Sequence, residues 1–165
     1  MKTHPLQATR ALSPEDVEMK SRLKIQPCRR KDFKAVFQLL RQLWPDKELK
    51  MIALQKVFER ALDADTQIYL CATDGDDVVG FASLTIKNNL WQGANLGHID
   101  ELIVEEKYRG CGLGRQLLNE IIAHAKQRGC ARVELDSAFH RKKAHHFYER
   151  HGFENRAYLF SKPLH

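Results

Sequence analysis

The chain has 165 residues, enough for one domain with one sizeable core, and its 43% hydrophobic and 29% charged residues are ordinary for a globular protein. No window approaches the roughly 20 consecutive apolar residues that a membrane-spanning helix needs, so no membrane partner is expected. The net charge of +6 is spread along the chain rather than gathered on one arm or helix. It permits nucleic-acid binding and suits an anionic small ligand equally well; with no recognised nucleic-acid motif in the sequence, no nucleic-acid partner is expected.

Residues 1–21 are polar and lack the apolar core and cleavage pattern of a secretory signal. They read as a frayed extension before a single domain over 22–165, with order starting near Leu23. Residues 23–27 alternate as a first strand. Asp32 is placed to cap a helix whose Phe33, Val36, Phe37, Leu40 and Trp44 form one stripe, and Pro45 ends it. A second helix fits 48–62. Strands over 67–73 and 78–86 flank Asp74-Gly75-Asp76-Asp77, a hairpin signal. The stretch 87–97 is polar and loop-like.

Residues 99–104 form a strand in which Asp100 and Glu101 interrupt a buried run. After Arg109-Gly110-Cys111-Gly112-Leu113-Gly114 comes a helix with Leu117, Leu118, Ile121, Ile122 and Ala125 at helical spacing, stopped by Gly129. A strand over 132–136, a helix over 142–151 closed by Gly152, and a last strand over 157–161 complete the order β-α-α-β-β-β-α-β-α-β. The fold class is therefore α/β, a mixed sheet with helices packed against it. Cys28, Cys71, Cys111 and Cys130 form no C-x-x-C pair, which argues against zinc ribbons and redox motifs. Four free thiols in a reducing cytoplasm are expected, though an even count leaves a disulfide open.

A glycine-rich turn between a strand and a helix is an anion site by construction. The first N–H groups of the helix lack internal partners and lie at the positive end of its dipole. Glycines at 110, 112 and 114 remove the Cβ atoms that would hold a phosphate away, and Arg109 and Arg115 add charge. A triphosphate-hydrolysing loop would need Lys-Ser/Thr where Arg115-Gln116 stand. A dinucleotide fingerprint would need glycine where Arg115 is, although Asp136 lies at about the right distance for a ribose contact. A plain turn with no ligand is the remaining alternative.

The spacing R-x-x-G-x-G of Arg109, Gly112 and Gly114 resembles the acyl-CoA pyrophosphate loop of the GNAT N-acetyltransferase superfamily. Downstream, Ala144-His145-His146-Phe147-Tyr148-Glu149-Arg150-His151-Gly152-Phe153 resembles the family's late A-x-x-F-Y-x-x-x-G-F element. The resemblance implies a GNAT-type acyltransferase fold, mostly antiparallel, and acetyl-CoA as co-substrate. It implies diphosphate contacts from Arg109, Gly110, Cys111, Gly112, Leu113, Gly114 and Arg115, and contacts to the pantetheine arm from the main chain of Leu102, Ile103 and Val104. Many relatives are dimers, which makes a homodimer an expectation.

Acetyl transfer to an amine needs a proton acceptor for the ammonium, a donor to the oxyanion and a proton for the departing thiolate. Tyr148 matches the family tyrosine near the CoA sulfur; its other reading is a mere member of an apolar stripe. For the base, Asp100, His98 and Glu101 compete. Period two puts His98 and Asp100 on one side of the strand and Glu101 on the other, unless a bulge intervenes. Several family members carry glutamate at the position of His98 or Asp100, and this sequence departs from them at His98. All three residues could instead bind a cationic acceptor, or Glu101 could pair with an arginine.

Arg141 stands where relatives often place an asparagine against the cofactor, and an arginine there could reach the CoA phosphates. His140, His145, His146 and His151 cluster in sequence, but His145 and His151 face different sides of a helix, so no metal is expected. The segment around Arg141 to Tyr148 resembles bacterial aminoalkylphosphonate N-acetyltransferases. Leu40-Arg41-Gln42-Leu43-Trp44-Pro45 with Gly80-Phe81-Ala82 resembles aminoglycoside N-acetyltransferases. The expected acceptor is thus a small primary amine of aminoalkylphosphonate, aminoglycoside or polyamine-like type. Trp44 and Trp91 are placed either as walls of its pocket or as loop anchors. A protein or peptide N-acetyltransferase, a non-catalytic acyl-CoA sensor and a basic nucleic-acid-binding domain are the alternatives.

Overall fold

The computed structural model describes residues 22–164; the extension over 1–21 lies outside them. Five strands form one sheet in sequential order: β1 (Leu23–Pro27), β2 (Gln67–Asp74), β3 (Asp77–Asn89), β4 (Ala94–Val104) and β5 (Cys130–Leu135). The first four run antiparallel and β5 lies parallel to β4. Helices α1 (Phe33–Leu43) and α2 (Met51–Leu62) cover one face. Helix α3 (Leu113–Gln127) covers the other, joined by Phe147 and Tyr148 of α4 (Lys142–Arg150).

The apolar periodicities explain these layers. In α3, Leu113, Leu117, Leu118, Ile121 and Ala125 are fully buried against Ala72, Val79, Ala82, Leu84, Ile99 and Val104 of the sheet. In α1, Phe33, Val36, Phe37 and Leu40 pack with Phe58 of α2 on Cys71, Phe81 and Ile103. Residues 81 and 82, like 103 and 104, thus serve opposite cores, as the pleat requires. Burial of both faces accounts for the near-continuous apolar runs in β2 and β3.

Several boundaries differ from the sequence expectation. Asp32 is buried, but its carboxylate accepts the backbone N–H of Arg29 at 2.7 Å and does not cap α1. Trp44 falls just past the helix end. The region 87–97, expected as a loop, is mostly sheet: Lys87, Asn88 and Asn89 pair with Leu96, Asn95 and Ala94 around a turn at 90–93. Ladder hydrogen bonds join backbones whatever the side chains, so an exposed hairpin end can be polar.

The expected last strand is absent. Residues 157–161 have no regular structure, and Tyr158, Leu159 and Phe160 are exposed. Their β-forming composition is not enough by itself: none of these residues is paired with a strand of the sheet, in which β5 is the last strand among the described residues. Finally, two of the four cysteines are bonded: Cys28 and Cys71 form a disulfide, leaving Cys111 and Cys130 free. The bridge crosses neighbouring chains of the antiparallel β1–β2 ladder, where Cys28 donates its N–H to Tyr69. A separation of 43 residues hides that adjacency in the sequence.

Candidate active site

Two irregularities in β4 build the site. Ser83 pairs with Glu101 while Leu84 pairs with Ile99, so Asp100 is an extra residue without a partner on β3. A bulge of this kind breaks the two-residue alternation. Glu101 consequently lies beside Ser83, on the face that also carries His98 and Asp100. The sequence places Glu101 on the other side unless a bulge intervenes, and this one inserted residue is that bulge. Its buried neighbours Leu102 and Val104 face the α3 core, and Ile103 faces α1.

The second irregularity is where pairing stops. Ile99 with Leu135 is the last β4–β5 pair, and β4 continues alone on that side through Val104. Its backbone there is open to a ligand that hydrogen-bonds like a strand. Ser137, on the segment leaving β5, has a buried hydroxyl with no hydrogen-bond partner among the described residues. At the end of β4, Arg109 folds back and donates Nε–H to the Val104 carbonyl at 2.9 Å. It fastens strand to loop.

The loop has the geometry of an anion cradle. Gly110 has φ 82° and Gly112, which caps α3, has φ 91°; L-residues avoid both. A Cβ built at either would meet nothing within 4 Å, so both face open space. At Gly114 a Cβ would lie 3.8 Å from both the Phe147 ring and Val104, which brings α4, the loop and the end of β4 into contact. The N–H groups at the start of α3 and the exposed Arg115 complete a site fit for a diphosphate. Cys111 does not face it with a reactive thiol; its Sγ–H donates to the Tyr108 carbonyl. Gly112→Ala has room but the wrong φ, and it is expected to cost roughly 1–2 kcal/mol. Chemical denaturation checks that loss, and calorimetry with CoA should show weaker binding.

On the α1–α2 face, a cavity of about 280 Å³ opens above the bulge. Its walls include Trp44, Leu49, Leu54, Val57, Phe58 and Phe81, and Glu101 lies in its lining beside Tyr69. Burial raises the Glu101 carboxyl above its ordinary range and Asp100 adds to this, while the hydrogen bond from the Ser83 hydroxyl and His98 oppose it. Tyr69 is pushed up to about 12 by burial and then by the carboxylates of Glu101 and Asp100. It remains a phenol at any working pH.

His98 is clamped between two acids, its Nδ1 2.9 Å from Asp100 and its Nε2 3.4 Å from Asp136. The Asp100 hydrogen bond raises its pKa first, and burial works against that rise. Asp100 also accepts from the Thr85 hydroxyl at 2.5 Å, which in turn reaches Gln67. Ser83, Thr85 and Tyr69 are site residues that sequence reasoning missed, and Asp136, weighed there only as a ribose contact, joins them beside His98. The alternating Ser83 and Thr85 within an apolar strand were the available signal. Asp100→Asn removes the negative charge beside His98 and leaves only a weaker, neutral hydrogen-bond acceptor, so the imidazole is expected to titrate at a lower pH, read by NMR. The stability that Asp100 lends His98 is fully present below the ordinary histidine value. It fades as pH rises through the folded one, so the variant's deficit is largest at acid pH.

Tyr148 is largely buried between Phe147 and Phe153, with ring centroids at 5.3 and 5.6 Å. Burial raises its pKa, outweighing the nearby Arg141, so the phenol stays protonated. Arg141 itself donates to the Leu43 carbonyl at 2.5 Å, tying the start of α4 to the end of α1 rather than reaching for the glycine loop. Of the clustered histidines, His145 contacts the Ala138 carbonyl and His151 that of Phe147. Trp44 borders the cavity, whereas Trp91 is exposed at the β3–β4 turn and does not line it.

The profile described as "Acetyltransferase (GNAT) family" matches residues 33–153. An aminoglycoside N(6')-acetyltransferase type 1 of Stenotrophomonas maltophilia is 31% identical, covering 81% of this chain and 88% of its own. An aminoalkylphosphonate N-acetyltransferase of Salmonella typhimurium is 32% identical, with 81% and 86% covered. Among solved structures, an aminoglycoside N-acetyltransferase in complex with CoA superposes with a TM-score of 0.76 at 20% identity, over 86% of this chain and 95% of that one. That likeness shows the fold. With a match across both the glycine loop and the Tyr148 helix, the chain belongs to the GNAT acetyltransferase family and is an acetyl-CoA-dependent N-acetyltransferase.

Proposed function

We propose that this enzyme acetylates the primary amine of a small molecule by direct attack within a ternary complex. The observation that supports it best is a single strand doing two jobs. Glu101 on β4 meets the cavity on the α1–α2 face, and a few residues on the same strand runs unpaired into the glycine loop. Acetyl-CoA supplies the activated acetyl group. The N–H groups at Gly110 to Arg115 with Arg115 hold its diphosphate, and the open backbone edge of Leu102 to Val104 aligns its arm.

Glu101 takes the proton from the acceptor ammonium, aided by a carboxyl pKa raised toward working pH. Asp100 is held by Thr85 and His98, so it positions rather than reacts. His98, held between Asp100 and Asp136, acts on Glu101 through its charge, which favours the carboxylate. As the amine nitrogen bonds the acetyl carbon and the C–S bond breaks, Tyr148 gives its hydroxyl proton to the leaving sulfur, and the second proton lost by the nitrogen restores the phenol. A basic pKa and a protonated resting state suit that donor role.

The relatives' names frame the acceptor panel: aminoglycosides and aminoalkylphosphonates, with polyamines alongside. Thiol release from acetyl-CoA across this panel and simple primary amines tests the reading. CoA binding with no release in any case would overturn it and favour the acyl-CoA sensor, or a protein or peptide acceptor. We further propose a cytoplasmic homodimer formed from one 22–165 domain per subunit. No helix among the described residues is long and apolar enough to cross a membrane. Sedimentation reads the assembly, and thiol labelling of protein drawn directly from cells reads whether the Cys28–Cys71 bridge persists there.

A further inference from the structure

Resting on the reading that the cavity receives the acceptor, we infer that the preferred substrate carries one ammonium on an apolar alkyl or arylalkyl body. The cavity lining contains two charged residues, Glu101 and Lys47. Tyr69 adds one hydroxyl, and the remaining side chains, Trp44 among them, present carbon surface. Phe58, Tyr69 and Phe81 form a continuous aromatic wall, with centroids 5.3 to 6.4 Å apart.

One carboxylate answers one cation. A substrate with hydroxyls around its amine, or with a second charge close by, would bury polar groups among carbon atoms and lose their hydration without replacement. A second ammonium farther out meets the wrong sign. Lys47 stands 5.6 Å over the Trp44 ring at the cavity, and Arg41 joins it around an adjoining hollow. Size points the same way for the part beside Glu101: about 280 Å³ is the bulk volume of roughly nine waters, enough for a short alkyl chain or one ring, and a larger acceptor must extend past Lys47 and Arg41.

The test is a homologous series. With wild-type enzyme and saturating acetyl-CoA, kcat/KM is measured by thiol release for n-propylamine through n-hexylamine and 2-phenylethylamine, then for 2-aminoethylphosphonate, spermidine and an aminoglycoside. Each added methylene is expected to raise kcat/KM about fourfold, the equivalent of roughly 0.8 kcal/mol, until the cavity is full. The three polar amines should fall well below hexylamine. Val57→Asp, at a half-exposed position in the lining, should flatten the slope. Ile52→Asp, exposed on the same helix and outside the lining, should not.

A flat series, or higher kcat/KM for any of the three polar amines, would overturn the inference while leaving N-acetyl transfer standing. Absence of release with every amine, in protein that still binds CoA, would remove both.

Discussion

Glu101→Gln lowers kcat by about 10²- to 10³-fold with every amine acceptor while the protein remains folded. The amide keeps the shape of the side chain and its contact with Ser83 but cannot take a proton, and positioned general bases contribute roughly this much. Stability should move the opposite way. The Glu101 carboxyl is raised above its ordinary value by burial, so its ionised form opposes folding. The stability that the protonated acid retains is present below the ordinary glutamate value and lost as pH rises through the folded one. At neutral pH the glutamine variant should therefore melt no lower than wild type, and slightly higher if anything. Steady-state kinetics with a melting curve checks both. A parallel fall in melting temperature and activity would mark Glu101 as structural and leave the base elsewhere.

Tyr148→Phe lowers kcat by about 10²-fold and leaves the KM for acetyl-CoA close to wild type. The phenyl ring still fills the space between Phe147 and Phe153, so only the hydroxyl is lost. The pH profile separates proton donation from packing. In wild type the rate should fall at alkaline pH, as the burial-raised phenol begins to ionise. In the variant that limb should vanish. A variant that keeps the alkaline limb, or matches wild-type kcat, would sink the assignment.

The sequence was most readable where chemistry demands particular backbone. Gly110 and Gly112 announce left-handed positions, and both have φ above 80°. The apolar stripes of α1 and α3 announced the two cores. What could not be read were features created by the meeting of distant segments. Asp100 becomes a bulge only against β3, so the faces of His98 and Glu101 were undetermined by alternation. Arg141 finds a carbonyl 98 residues earlier, and Cys28 finds Cys71, because of how the chain closes. Residues 157–161 failed in the reverse sense: local preference says strand, but a strand exists only where another accepts its hydrogen bonds.

The unmatched residue at position 100 also sets which genetic changes this enzyme can survive. A point change there alters one side chain. Loss of the codon would restore strict alternation along β4 while leaving Glu101 opposite Ser83 and Ile99 opposite Leu84, so both halves of the strand would keep their faces. His98 would stay on the side of the site and Ile99 in the core under α3, and only the Asp100 carboxylate would be lost. Shortening by one residue at this point should therefore be absorbed by the fold, whereas the same deletion at Leu70, in the middle of β2, would turn one half of that strand over.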